Sequence, residues 1–157
     1  MLYFTLKYLH IIGGSVLLGT GAGIAFFMLL AHRTGNPVVI AGVARIVVTA
    51  DFLFTATAVV AQPITGVALA LYLGYPLSQH WIVLSTLLYV LTGAFWLPVV
   101  RMQMEMRDLA IAAVEEGAPL PARYHRLFKT WFLFGFPAFA AVLAIFWLMI
   151  LRPPEIW

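Results

Sequence analysis

The sequence predicts an all-α protein, an integral membrane bundle of four helices. Two observations carry this. Of 157 residues, 64% are hydrophobic and only 10% charged. The charges are also confined, which leaves four apolar stretches long enough to cross the bilayer. A helix needs about 20 residues to span about 30 Å of hydrocarbon. The stretches run from Tyr8 to Ala31, Val47 to Leu73, Trp81 to Val100 and Trp131 to Leu151. Little sequence remains outside them, so residues 1–157 read as a single four-span domain.

The first span has no charge between Lys7 and Arg33. It is too long for a signal-peptide core and lacks a cleavage site, so it is expected to stay in the mature protein. Arg33-Thr34-Gly35-Asn36-Pro37 stops it. The second span is expected to begin near Arg45 and to loosen at Gln62-Pro63, where proline removes one backbone hydrogen bond and frees a carbonyl. Gly74 and Pro76 break the chain again. The third span is expected to run on past the lipid through Arg101–Arg107 until Gly117, Pro119 and Pro121 end it. The last leaves the membrane at Arg152-Pro153-Pro154. Tyr3 and Trp81 are expected as interfacial aromatics at one edge, Tyr124 and Trp131 at the other, and Trp157 at the chain end.

Seven of the nine basic residues fall in or beside loops one and three: Arg33, Arg45, Arg101, Arg107, Arg123, Arg126 and Lys129. Lys7 and Arg152 are the other two. This asymmetry predicts that loops one and three are cytoplasmic and both termini periplasmic. The lipid bilayer is the expected environment, and no nucleic-acid partner is expected.

The chain has no cysteine. Disulfides, thiolate-held haem, cysteine-bound iron–sulfur clusters and covalent haem attachment through a C-x-x-C-H motif are all excluded. Any haem is held noncovalently.

His10 sits near the start of the first apolar stretch, inside the run without charge between Lys7 and Arg33. A titratable, metal-ligating side chain in hydrocarbon is costly and marks a functional candidate. Gly13 and Gly14 follow at the third and fourth positions, on the same helical face. They leave a notch beside the imidazole that suits a flat group such as haem. The competing reading is a histidine bonded to a neighbouring helix, with glycines that permit close packing. Ser15, Gly19 and Gly23 repeat every fourth residue, a stripe suited to tight helix contact or a homodimer face.

Toward the same edge lie Gln62 and Thr65 on the second span and His80 at the start of the third. His80 is the candidate second metal ligand, although it should sit shallower than His10; Gln62 is a candidate hydrogen-bond partner near the cofactor. Toward the other edge lie His32 and His125, which could in principle hold a second haem but occupy loop edges where histidines are usually solvated. Asp51 is the carboxylate expected within a span. It should pair or be protonated, and Arg101, Lys129 and His125 are at matching depth. The favoured reading is a structural ion pair; the functional one is a proton relay or an anchor for a quinone or propionate. Met102, Met104 and Met106 suggest Cu(I), but alternate positions on a helix do not converge.

At this point the residues carry a resemblance. Leu6-Lys7-Tyr8-Leu9-His10-Ile11-Ile12-Gly13-Gly14 resembles the first helix of the small bacterial membrane proteins that include the oxygen-independent-type protoporphyrinogen IX oxidase. Tyr124-His125-Arg126-Leu127-Phe128-Lys129 and Leu151-Arg152-Pro153 are similar to the flanks of its last helix. Nearly the whole chain resembles a family of predicted bacterial integral membrane proteins catalogued as domain of unknown function 2269. Both resemble the copper-resistance D type membrane domain. The resemblance implies a bacterial inner-membrane, four-helix unit with a first-helix histidine and, from the oxidase family, haem b on His10. The third helix departs from the oxidase pattern: Trp81–Tyr89 carries no lysine, so protoporphyrinogen oxidation does not carry over.

The expected function is therefore a haem b protein in electron transfer or redox chemistry with a quinone or membrane redox protein, possible as an oxidoreductase. The alternative is a non-enzymatic membrane protein, in copper or small-solute handling or assembly, with His10 structural.

Overall fold

The computed structural model describes residues 1–153, so the expectations for Pro154 and Trp157 lie outside the described residues. It is all α, with no strand among the described residues. The helices are α1 (Leu2–Arg33), α2 (Pro37–Ala50), α3 (Ala56–Tyr72), α4 (His80–Glu115) and α5 (Ala122–Leu151). A π-helical turn, Asp51–Thr55, joins α2 to α3, so the four membrane-crossing units are α1, α2–α3, α4 and α5. Loops one and three lie at one end, the basic end; loop two and the two chain ends lie at the other, the termini end.

The helices are longer than their apolar stretches. At 1.5 Å per residue, the 36 residues of α2–α3 and the 36 of α4 run far beyond the hydrocarbon thickness. The excess is at the basic end. There α2 starts at Pro37, not near Arg45, because Asn36 caps it: its Oδ1 accepts the Val38 N–H at 2.9 Å, and Pro37 occupies the first helical position. α4 continues to Glu115, where Gly117 (φ 61°) takes the left-handed conformation that ends a helix. α5 begins at Ala122, well before Trp131.

These extra turns build the main core. Met28, Ile40, Met106, Ala110 and Tyr124 are almost wholly enclosed, with Ala44, Phe128 and Trp131 beside them. Tyr124 and Trp131 are thus core residues and not interfacial ones. Burial of a large side chain contributes roughly 1.5–3 kcal/mol, and all of these residues but Met28 and Trp131 lie outside the four apolar stretches expected to span.

The termini end is built differently. There α3 packs along α1, and α5 along α4. Among the described residues α3 does not pack closely on α4 or α5. Tyr3 stacks on Tyr72 with ring centroids 6.1 Å apart, and Tyr75 meets Trp81 edge to face at 5.7 Å. Trp81 is enclosed at this rim and donates its indole N–H to Gln79 Oε1 at 2.7 Å.

α3 continues as a helix through Pro63. The missing N–H leaves the Val59 carbonyl without its helical partner, and the Tyr89 hydroxyl of α4 donates to that carbonyl. The irregular turn lies instead at Asp51–Thr55. π-turns inside α-helices occur frequently at functional sites.

Candidate functional site

Two polar clusters lie within the bundle, one nearer the termini end and one nearer the basic end.

The first joins α1 to α3 around His10. Gln62 and Thr65 are three residues apart, so they share a face of α3, and both are buried. Gln62 Nε2 donates to the His10 carbonyl at 2.8 Å. The His10 Nδ1 and Thr65 Oγ1 are 2.9 Å apart. The direction of that bond depends on the hydroxyl. The hydroxyl also lies 2.8 Å from the Ala61 carbonyl; with its single proton on that carbonyl it accepts from His10 Nδ1–H, and the lone pair is then on Nε2. That is the arrangement of a metal-binding histidine, whose other nitrogen is held by a hydrogen bond that fixes the tautomer.

Glycines make the approach possible. A Cβ at Gly13 would collide with the Gln62 amide nitrogen; one at Gly66 would lie 3.1 Å from His10 Cε1. At Gly14 it would lie 3.2 Å from Phe146 Cζ of α5. So Gly13 and Gly14 do not flank an open notch here: the Gln62 amide and the Phe146 ring lie over them.

His80 stands elsewhere. It opens α4 at the rim formed by Tyr75, Trp81 and Arg152, whose guanidinium lies 6.0 Å from the Trp81 ring centroid. Tyr3 marks the same rim, and His10 is seven residues further along α1, about 10 Å deeper. Of the site residues expected from the sequence, the fold brings together His10, Gly13, Gly14 and Gln62, and sets His80 apart.

The second cluster surrounds Asp51, whose expected ion pair with Arg101 or Lys129 does not form. Both cations are exposed. The ion pairs among the described residues are Arg107–Asp108 and Arg123–Glu105. Asp51 is 3% exposed. Trp96 Nε1 of α4 donates to its Oδ1 at 3.3 Å. With the Gln103 amide oriented as its neighbours require, Gln103 Nε2 donates to Asp51 Oδ2 at 3.1 Å and Gln103 Oε1 accepts from Trp131 Nε1 at 3.1 Å. A carboxylate at the start of the π-turn is thus held by two neutral N–H donors of α4, one of which is itself held by Trp131 of α5. The reason is geometric. Asp51 lies on the buried face at the end of α2, whereas Arg101 and Lys129 face outward, where their charges stay hydrated.

The other candidates resolve into packing. His32 lies flat on Phe128, ring centroids 3.7 Å apart, and meets His125 edge to face at 5.7 Å. Rings in contact leave no room for a macrocycle between them. Met106 is fully enclosed in the core and Met102 packs against it, as their four-residue spacing dictates. Among the described residues no three His, Asp or Glu side chains come together as a metal cage.

Thr65 was legible as a polar residue at the right depth; Gly66, Phe146, Tyr89, Trp96 and Gln103 were not singled out. The three-residue spacing of Gln62 and Thr65 was the available signal for the first cluster. A glutamine between charged neighbours gives none for the second.

A family model described as "Predicted integral membrane protein (DUF2269)" matches residues 4–153. No curated protein and no solved structure matches the chain.

Proposed function

We propose that this chain, which belongs to the DUF2269 family of predicted integral membrane proteins, is a haem b protein of the bacterial inner membrane. In this reading His10 Nε2 is the iron ligand, and the protein passes electrons between a membrane quinone or redox protein and an acceptor beyond the bilayer. The observation that supports it is the contact of His10 Nδ1 with Thr65 Oγ1 at 2.9 Å, which engages Nδ1 and leaves Nε2 as the nitrogen for a ligand when Thr65 accepts. Bound haem b would supply one-electron transfer. The chain's own residues orient and hold: Thr65 fixes the ring, Gln62 fixes the turn that carries it, and Lys7 and Arg152 are the cations at that end of the bundle available to acidic groups.

The test is an optical spectrum of protein purified from haem-replete cells. A Soret band and b-type reduced bands are expected, and His10→Ala should remove most of the colour while the protein still inserts. Colourless wild-type protein overturns the haem reading. His80→Ala should leave the spectrum in place, since His80 stands about two turns shallower. A shift to high spin with carbon monoxide binding would make His80 the second ligand.

A second reading has its own support, because Gln62 and Phe146 cover Gly13 and Gly14. It makes His10 a helix-to-helix bond in a non-enzymatic membrane protein that handles copper or a small solute, or assists assembly. The same spectrum separates the two readings.

For orientation we propose that the basic end is cytoplasmic and both termini periplasmic, since it holds seven of the nine Lys and Arg residues. Reporters placed at Gly117 and after Trp157 should give opposite signals; equal signals would refute the topology. The Ser15, Gly19, Gly23 face, where Ser15 is exposed and Gly19 has no neighbour, is the surface proposed for a second copy. Cross-linking at Gly19 that yields no dimer in membranes would exclude it.

A further inference from the structure

At the basic end a shallow, open groove of about 280 Å³ runs along α5 beside α4, lined by Arg123, Arg126, Leu127 and Thr130 of α5 and Met102 of α4. Arg123, Arg126 and Thr130 follow one another at three and four residues, so they form one stripe of α5. The groove sits where both helices change character: α4 is uncharged from His80 to Val100, and α5 is uncharged from Thr130 to Leu151. It is therefore at headgroup depth, with apolar helix surface leading into the bilayer.

The two arginines are not equivalent. Arg123 is paired with Glu105 of α4. Arg126 is exposed and has no carboxylate partner among the described residues. The groove thus combines one neutralised guanidinium, one uncompensated guanidinium, a hydroxyl and two apolar side chains. A guanidinium matches a phosphate through paired, charge-assisted hydrogen bonds, and Met102 with Leu127 supplies a wall for the start of an acyl chain.

We propose that this groove binds the headgroup of an anionic phospholipid, with Arg126 as the charge that recognises the phosphate. Basic pockets between transmembrane helices are suited to such headgroups. The glutamate on Arg123 keeps the site from being a general anion trap, and the apolar wall selects an anion that carries a lipid tail.

The experiment uses the full chain, delipidated in mild neutral detergent and titrated with phosphatidylglycerol, phosphatidylcholine or inorganic phosphate. Binding is read by native mass spectrometry and as a shift in melting temperature. Phosphatidylglycerol should bind saturably and raise the melting temperature, and the other two should not. Arg126→Gln should weaken phosphatidylglycerol at least fivefold, Arg126→Lys should lose less, and Arg33→Gln at the same end should change nothing. Equal binding of the two lipids overturns the proposal, as does an Arg126→Gln variant that binds like wild type. Phosphate that matches phosphatidylglycerol also overturns it, in favour of a free-anion site.

Discussion

Asp51→Leu is expected to lower the melting temperature of the purified protein by on the order of 10 °C. The substitution leaves the Trp96 and Gln103 N–H groups facing an apolar side chain inside the bundle. An orphaned buried donor costs about 1–3 kcal/mol, and in the membrane no water replaces the lost acceptor. Asp51→Asn should cost less but not nothing. The new amide nitrogen meets the Gln103 nitrogen, donor against donor. Turning the Gln103 amide relieves that clash and strips Trp131 of its acceptor. Asp51→Asn combined with Gln103→Glu repairs both, because a carboxylate at 103 accepts from Asn Nδ2 and from Trp131 Nε1 at once. The double variant should recover much of the loss of Asp51→Asn, a coupling that two independent sites would not show. Arg101→Gln and Lys129→Gln should leave stability near wild type. A loss with either would restore the ion-pair reading, and no loss with Asp51→Leu would sink both.

The contrast between the two clusters shows what was legible in the sequence. His10 and Gln62 could be placed together because depth in the membrane is a one-dimensional coordinate, and hydropathy supplies it. Rotation about the helix axis is not supplied in the same way. For Asp51 the sequence offers cations at matching depth, and opposite charges attract, so an ion pair is the natural expectation. The π-turn at Asp51–Thr55 resets the rotation of everything that follows it, and nothing in Asp51-Phe52-Leu53-Phe54-Thr55 announces that turn. Asp51 itself sits on the inward face at the end of α2, toward Trp96 and Gln103. The helix ends failed for a related reason. Val38–Ala44 is apolar but separated from the second stretch by Arg45, and Tyr124–Phe128 is partly polar; both lie outside the stretches expected to span, yet their apolar side chains close the main core. Pro63 is the converse case. The proline and its freed carbonyl were legible; that a tyrosine from the next helix would occupy the carbonyl was not.

Gly13→Ala is expected to be more damaging than any other single added methyl on α1. A Cβ there occupies the position of the Gln62 amide nitrogen, so either Gln62 leaves the His10 carbonyl or α1 and α3 separate. Separation also draws the imidazole away from Thr65, and the two hydrogen bonds that join these helices at His10 are lost together. The expected cost is about 2–3 kcal/mol, the sum of two modest bonds and a buried amide left unpaired. Gly19→Ala is the control: it meets nothing within 4 Å, and alanine is the better helix former by up to about 1 kcal/mol, so it should be neutral or stabilising. Gln62→Ala supplies the decisive comparison. It removes both the bond and the obstacle, so Gly13→Ala added to Gln62→Ala should cost almost nothing further. Additive losses would mean that Gly13 matters for another reason, such as a ligand lying against it. Two readouts keep the cofactor question separate. If the protein is coloured, Gly13→Ala should lower haem content along with stability, because the ring that binds iron is the ring that the lock holds. If it is colourless, the stability loss and its coupling to Gln62 should remain unchanged, which would assign His10 to the α1–α3 joint alone.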